Sequence, residues 1–329
     1  MKRLFKRIAG GILVLALLLV AAGVGWEQWV RAKLGRDMPP PGRMVEVDGR
    51  AMHLRCAGQG SPVIVLEAGL GPEGSASWAP VFDELSQISR VCAYDRAGIL
   101  WSAPGPRPRD AHQVVEELHA LLASAGEAQP FVLVGHSLGG LFARAYTARH
   151  GDEVAGLVFV DASHPDQLER MPPEAAEAME SAMPPLIAMR LLAATGALRW
   201  MTFGAEGGAD GNTPPAQARL PQSVAGLSGE ASMLETIAAQ AGELTSLGDR
   251  PLVVLTAGSI ADLPPEVPRE VIERMQREIW PALQREAAAL STQGEFRLVE
   301  DASHYIHYER PDVVVEAVRD VVSAVRAGG

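Results

Sequence analysis

The sequence predicts an α/β fold in which a mostly parallel sheet carries helices on both faces. Three observations support this prediction: short apolar runs recur along the chain, amphipathic segments separate them, and 47% of the 329 residues are hydrophobic. Such alternation is typical of parallel strands joined by helical crossovers. The length is sufficient for one large domain with a sizeable core.

The elements begin with a hairpin, because the runs RMVEV and RAMHLRCAG flank Asp48-Gly49, a strong turn signal. Further strands of the buried type are predicted at 62–69, 90–98, 131–137, 156–163, 251–258 and 295–300. Helical spacing predicts helices at 78–89, 110–126, 139–151, 271–291 and 312–327. The helix at 110–126 has capping signals, with Asp110 at its start and Gly126 at its end.

A long insertion interrupts this alternation between the strands at 156–163 and 251–258. It contains two helical stretches rich in Ala, Met and Leu, separated by a Gly- and Pro-rich segment, 204–230, that we expect to be a loop. The insertion leaves the sheet edge at which open α/β sheets bind ligands. It therefore predicts a helical cap at about residues 165–249, the alternative being a small separate domain without a role in the site.

The N-terminus has the pattern of a membrane helix. Cations at positions 2–7 precede an uncharged run from Ile8 to Trp26, which as a helix would be ~28 Å long against a hydrocarbon core of ~30 Å. We therefore expect residues 1–37 to be an anchor and linker, with a Pro-rich spacer at 36–42. The preceding cations predict a cytoplasmic N-terminus, so the domain that follows, 38–329, would lie on the non-cytoplasmic side. The alternative is a signal peptide with a small-residue site at 20–22, which would give a secreted protein.

Charge excludes one class of partner. The chain has a net charge of −11, yet residues 1–37 contain seven Lys/Arg and only two Asp/Glu, so the remainder has a net charge of −16. An acidic body lacks the basic surface that nucleic acid requires. We therefore expect no nucleic-acid partner.

The segment GHSLGG at 135–140 contains a candidate catalytic serine. It is a G-x-S-x-G match with Ser137 at its centre, and it lies between the predicted strand at 131–137 and the helix that follows. A serine between two glycines at a strand end predicts a sharp turn that exposes the hydroxyl. Because a serine hydroxyl is a weak nucleophile at neutral pH, it needs an adjacent base.

With this motif in place, the chain from about residue 44 onward resembles the α/β-hydrolase family. The segments LEAGLG (66–71), YDRAG (94–98) and ASHYIHYERP (302–311) resemble its oxyanion loop, its motif after the fourth strand and its histidine loop. The resemblance implies an eight-stranded, mostly parallel sheet with the cap inserted after strand 6. It also implies an oxyanion hole formed by the backbone amides of Leu70 and Leu138.

The base and acid follow from the order serine, acid, histidine that the resemblance implies. His304 matches the histidine position and is preferred to His307, while His136 should point away from Ser137 because neighbours in a strand alternate. The acid stays open between Asp161, after the sixth predicted strand, and Asp262, after the seventh. Asp161 is favoured because it ends a rigid strand. Asp301 is a weaker third choice.

The resemblance also brings the two cysteines together. Cys56 would lie on the second strand and Cys92 on the fourth, and these strands are neighbours in the family's sheet. An exported domain permits a disulfide between them. The alternative is two buried free thiols.

The expected function is a serine hydrolase that cleaves a carboxylic ester with an apolar acyl or alcohol part, through an acyl-enzyme and without a metal or cofactor. The Ala/Met/Leu-rich cap suggests the apolar part, since methionine packs adaptably. Amidase, thioesterase and acyltransferase reactions use the same groups. The alternative of a different class is a non-catalytic α/β-hydrolase-like binding or scaffold protein.

Overall fold

The sheet of the computed structural model has eight strands within the residues that the structure describes, 2–182, 185–209, 213–259 and 267–328. The strands are β1 (Arg43–Val47), β2 (Arg50–Ala57), β3 (Val63–Glu67), β4 (Val91–Tyr94), β5 (Phe131–His136), β6 (Val154–Val160), β7 (Leu252–Ala257) and β8 (Gly294–Val299). Their spatial order is β1-β2-β4-β3-β5-β6-β7-β8. The pairs β1–β2 and β2–β4 are antiparallel, and all later pairs are parallel. The predicted α/β-hydrolase fold is confirmed.

Helices cover both faces of the sheet. They are α1 (Lys2–Asp37), α2 (Ala79–Ile88), α3 (Ala111–Ala125), α4 (Leu138–Arg149), α5 (Gln167–Arg170), α6 (Pro173–Ala182), α7 (Leu186–Ala194), α8 (Ala197–Phe203), α9 (Pro215–Ala231), α10 (Leu234–Ala241), α11 (Arg269–Arg274), α12 (Trp280–Ala288), α13 (Ile306–Glu309) and α14 (Pro311–Gly328). A π-helical turn, Met275–Ile279, joins α11 to α12.

Two apolar layers form the core, one on each side of the sheet. In β3, Ile64 and Leu66 pack in the layer that contains α2 and α14, while Val63 and Val65 pack in the layer that contains α3 and α4. Successive side chains of a strand point to opposite faces, so a strand covered on both sides is apolar throughout. This explains the uninterrupted apolar runs of the sequence.

The prediction of a loop at 204–230 is wrong for most of its length, because α9 occupies residues 215–231. Its glycines serve close packing: a Cβ on Gly226 would lie 2.8 Å from the carbonyl oxygen of Gly98, and a Cβ on Gly229 would lie 2.7 Å from the side chain of Arg109. Tertiary contact thus outweighs the low helix propensity of glycine.

The N-terminal helix is longer than the sequence suggests. The uncharged run ends at Trp26, but α1 continues to Asp37, so the expected spacer begins inside the helix. Within the described residues, α1 is long and apolar enough to span a membrane, and its apolar window is wholly exposed. The part of α1 after that window packs against the cap.

Cys56 and Cys92 form a disulfide, which confirms the pairing implied by the resemblance. The two residues are direct partners in the register of β2 and β4. The bond therefore joins the antiparallel hairpin to the parallel part of the sheet.

We predict that the denatured, unreduced protein contains no titratable thiol. Because the bond closes a loop with a sequence separation of 36, the double variant Cys56→Ala/Cys92→Ala should lose about 3–4 kcal/mol of unfolding free energy. Thiol titration and urea unfolding measure the two effects. Two free thiols per chain would contradict the first expectation.

Candidate active site

The turn between β5 and α4 carries Ser137. Its backbone lies in the left-handed region, with φ of 50° and ψ of −124°, which costs a non-glycine residue about 1–3 kcal/mol. Two close approaches fix the bend: a Cβ on Gly139 would overlap the carbonyl oxygen of Glu67, and a Cβ on Gly135 would lie 2.6 Å from the carbonyl oxygen of Gly139. The serine is therefore held at the tip of a turn that tolerates no side chain at either glycine.

An imidazole–carboxylate pair lies beside this turn. His304 Nδ1 is 2.7 Å from Asp161 Oδ2. The other oxygen, Oδ1, accepts hydrogen bonds from Trp280 Nε1 at 2.7 Å and from the backbone amide of Ala257 at 2.9 Å. Asp161 is buried, while the His304 side chain is 30% exposed. With Oδ1 occupied by two donors, Oδ2 is left to orient the imidazole.

The other two candidate acids are Asp262 and Asp301. Asp262 lies outside the described residues. Asp301 is exposed and pairs with Arg310, at 2.6 and 2.8 Å. Of the acids with a described position, Asp161 is the one that the structure brings to His304.

Ser137 and His304 face the same space. Both line a cavity of about 430 Å³, and both line a smaller cavity of about 210 Å³ together with Asp161 and Trp280. Ser137 also lines a third cavity, of about 380 Å³, whose walls are mainly apolar side chains: Leu70, Leu138, Leu141, Leu168, Met171 and Met179. The serine thus lies where a partly polar and an apolar cavity meet.

Arg96, the arginine of the YDRAG segment, holds the loop that precedes Leu70. It donates to the carbonyl oxygens of Ala68 at 2.6 Å and Gly69 at 2.8 Å. It also pairs with Glu67 on β3 and, through two bonds of 2.8 Å, with Glu230 on α9. All three charged groups are buried. The network fixes the course of the loop and connects it to the cap.

Two further histidines border this site: His136, which was expected to point away, and His307, which was the second choice for the base. The expectation that His136 points away is wrong: it lines the 430 Å³ cavity with Ser137 and donates through Nε2 to the carbonyl oxygen of His304, at 3.0 Å. The alternation argument fails because Ser137 has already left the strand. His307 lines the same cavity and is buried, with no hydrogen-bond partner for Nδ1 in the described residues.

Burial keeps both of these imidazoles uncharged. It lowers the pKa of His136 well below its usual value, and the neighbouring His307 and His304 lower it further. Burial, assisted by His304, lowers the pKa of His307 to about 3. Two neutral imidazoles therefore pack beside His304 at physiological pH. Burial shifts the pKa of the nearby Glu67 in the opposite direction. It raises the pKa of this carboxyl group, although Arg96 opposes the shift.

A family model described as "Alpha/beta hydrolase family" matches residues 63–317. The chain belongs to the alpha/beta hydrolase family. The predicted family is confirmed, and the family is one of hydrolase enzymes.

Individual relatives are more distant. An uncharacterized vacuolar membrane protein of Saccharomyces cerevisiae is 38% identical over 110 residues, which are 32% of this chain and 17% of that protein. The 2-hydroxy-6-oxo-2,4-heptadienoate hydrolase of Pseudomonas putida is 36% identical over 125 residues, 37% of this chain and 44% of that protein. Each match thus spans less than half of the curated relative's length.

A solved structure covers far more of the chain. The enol-lactonase from Burkholderia xenovorans LB400 superimposes with a TM-score of 0.57 over 85% of this chain and 100% of its own, at 25% identity. The similarity therefore extends over most of the chain.

We predict that His307 makes stability depend on pH. Because its pKa is lowered to about 3 in the fold, the unfolded chain binds a proton that the folded chain does not between about pH 3 and pH 6.5. The stabilisation is complete above pH 6.5 and is lost as the pH falls, by about 2 kcal/mol between pH 7 and pH 5. Urea unfolding of His307→Gln at both pH values should show a correspondingly smaller loss than the wild type.

The matched control is His112→Gln on α3, whose side chain is 33% exposed. It should reproduce the wild-type dependence on pH. Equal losses in the wild type and His307→Gln would contradict the prediction.

Proposed function

We propose that the protein is a serine hydrolase that cleaves a carboxylic ester through an acyl-enzyme, with Ser137 as nucleophile, His304 as general base and Asp161 as the acid that orients it. The observation that carries the proposal is the shared cavity: Ser137 and His304 line one space, and Asp161 Oδ2 lies 2.7 Å from His304 Nδ1.

The proton path follows from this arrangement. Since His304 Nδ1 donates to Asp161, the lone pair of the neutral ring is on Nε2, which accepts the hydroxyl proton as Ser137 Oγ attacks the ester carbonyl. The carbonyl π electrons move to oxygen to form a tetrahedral oxyanion. When it collapses, the C–O bond to the alcohol breaks and Nε2 returns its proton to the leaving oxygen. Water then repeats the sequence and releases the acid.

The negative charge on the carbonyl oxygen needs preorganised donors. We assign these to the backbone amides of Leu70 and Leu138, both of which border the apolar cavity beside Ser137. Leu138 is the first residue of α4, so its amide is directed outward at the positive end of the helix. Arg96 supports the assignment for Leu70, because it fixes the two preceding carbonyls. One such donor contributes about 2.7–4 kcal/mol to transition-state stabilisation.

The cavities support an ester with one apolar part. The apolar cavity of about 380 Å³ is bordered by cap residues Leu168, Met171 and Met179, which suit an acyl chain or an alkyl alcohol. The enol-lactonase of similar structure is named for a lactone, which is a cyclic ester. This similarity supports ester hydrolysis over the amidase, thioesterase and acyltransferase reactions that the same residues would catalyse.

We further propose that α1 anchors the protein in a membrane, with the catalytic domain on the non-cytoplasmic side. Its apolar window is exposed and follows a cluster of cations. The disulfide suits an oxidising compartment. The curated vacuolar membrane relative supports a membrane location. Cleavage at 20–22 would instead release the domain.

We predict that Ser137 is the residue that reacts with a fluorophosphonate probe and that Ser137→Ala lowers ester turnover by about 10⁴–10⁶-fold. The measurements are probe labelling with peptide mapping and the hydrolysis of p-nitrophenyl esters of graded chain length by the full chain in detergent. The matched control is Ser163→Ala, since Ser163 borders the same apolar cavity and should leave labelling intact. A folded wild type without labelling and without turnover would favour the binding protein.

We predict that Asp161→Asn lowers kcat by about 10³–10⁴-fold, because the amide no longer holds the imidazole tautomer. The matched variant Asp262→Asn should retain activity within a few-fold. Steady-state kinetics of both variants decide the assignment. A large loss in Asp262→Asn with little change in Asp161→Asn would transfer the acid role to Asp262.

A further inference from the structure

The membrane helix does not end in a flexible linker but continues into the cap. Glu27, on α1, is fully buried and pairs with the fully buried Arg199 of α8, at 2.7 and 3.2 Å. Arg199 also donates to the carbonyl oxygens of Gly207 and Ala218. A buried ion pair of this kind tolerates little displacement, because separating the charges would leave each of them desolvated.

Apolar contacts extend this junction along the helix. Val30, Leu34 and Met38 form a buried cluster with Ala218 of α9. Arg219 donates to the carbonyl oxygens of Leu34 and Met38, at 2.8 and 3.0 Å. These contacts make the second half of α1 part of the folded body.

The docked part begins at Gly23. A Cβ on Gly23 would overlap the carbonyl oxygen of Thr195, in the turn between α7 and α8, and a Cβ on Gly196 would lie 2.9 Å from the ring of Trp26. Only Ile8–Ala22 is then both apolar and free of the body, a length of ~22 Å as a helix. The hydrocarbon core is ~30 Å thick. The free segment is therefore about 8 Å shorter than the core, and this mismatch is removed when the cap around Gly23 enters the membrane boundary.

The two cap helices that flank the contact with Gly23 expose large apolar side chains. Helices α7 and α8 meet at an angle of 79° at the turn that contacts Gly23. Four large apolar side chains of these helices are exposed: Ile187 (74% exposed), Leu191 (60%), Trp200 (61%) and Met201 (69%). We call these four residues the α7–α8 face. The small residues Ala188, Ala194 and Thr202 are exposed as well. Trp29, two turns into the docked part of α1, is also exposed, and tryptophan is enriched at membrane interfaces.

We infer that the α7–α8 face rests in the boundary region of the same bilayer that α1 spans, so that the lipid surface is the partner of this face. The inference rests on the proposed anchoring by α1. Two observations carry it: the free helix is shorter than the hydrocarbon core, and the side chains of the α7–α8 face belong to the two helices whose connecting turn contacts α1 at Gly23. The buried pair Glu27–Arg199 then fixes how the cap is oriented on the membrane.

The test uses the full chain reconstituted in phosphatidylcholine vesicles, with and without lipid carrying a doxyl quencher near the headgroup. Single cysteines are introduced by Met201→Cys and, independently, Trp200→Cys, and are labelled with a fluorophore. Cys56 and Cys92 are disulfide-bonded and do not react in the absence of reductant. Thermal unfolding midpoints verify that each variant is folded.

Labelled cysteines at two further positions distinguish this inference from the proposed anchoring by α1. Leu17→Cys reports the insertion of α1, since Leu17 is 60% exposed in the apolar run. Met44→Cys is the matched control, a methionine that is 41% exposed on β1, beyond the end of a docked helix segment ~21 Å long.

We expect the doxyl lipid to reduce the fluorescence about twofold or more at positions 17, 200 and 201, and to leave position 44 unchanged. Quenching at position 17 without quenching at 200 and 201 would overturn the inference while the anchoring stands, and would favour a protein partner for the face. Absence of quenching at position 17 would overturn both. Equal quenching at 44 and 201 would also overturn the inference, because the face would not be distinguished from the rest of the surface.

Discussion

The bend at Ser137 is the constraint on which the site depends. A positive φ at a serine between a buried strand and a helix is unfavourable by itself. This backbone conformation persists because the surrounding contacts leave no alternative. Gly139 lies against the backbone of β3, and Gly135 lies against Gly139. The same bend begins α4 directly behind the serine, so that one turn both exposes the hydroxyl and aims the helix N-terminus at it. Relaxing the turn would remove both effects together.

A buried charge network transmits this constraint to the cap. Arg96 contacts two carbonyl oxygens of the loop at 68–69, a carboxylate on β3 and a carboxylate on α9. Removing Arg96 would leave the carboxylates of Glu67 and Glu230 desolvated without their cation, which costs far more than an exposed ion pair contributes. The cap helix α9 and the candidate oxyanion loop are therefore held as one unit. Because α9 also packs on α1, the unit reaches from the candidate site to α1.

The sequence could predict those parts of the site that are local. The strand–turn–helix context made Ser137 the candidate nucleophile, and the histidine loop made His304 the preferred base. The acid stayed open between Asp161 and Asp262, because the choice depends on which loop reaches His304. Trp280, which donates to Asp161, gave no signal of its role, since it lies 119 residues from the carboxylate in the chain. His136 was misjudged because strand alternation ends at the residue before the bend.

The sequence by itself determined the order of strands and helices, the membrane-type helix and the motif at Ser137, since each is set by periodicity, charge or turn chemistry within a short window. Only the tertiary structure decided that residues 215–231 form a helix, that Asp161 rather than Asp301 contacts His304, and that α1 is docked on the cap. These outcomes depend on contacts between residues far apart in the chain. Close packing and buried ion pairs depend on geometry that no local window contains.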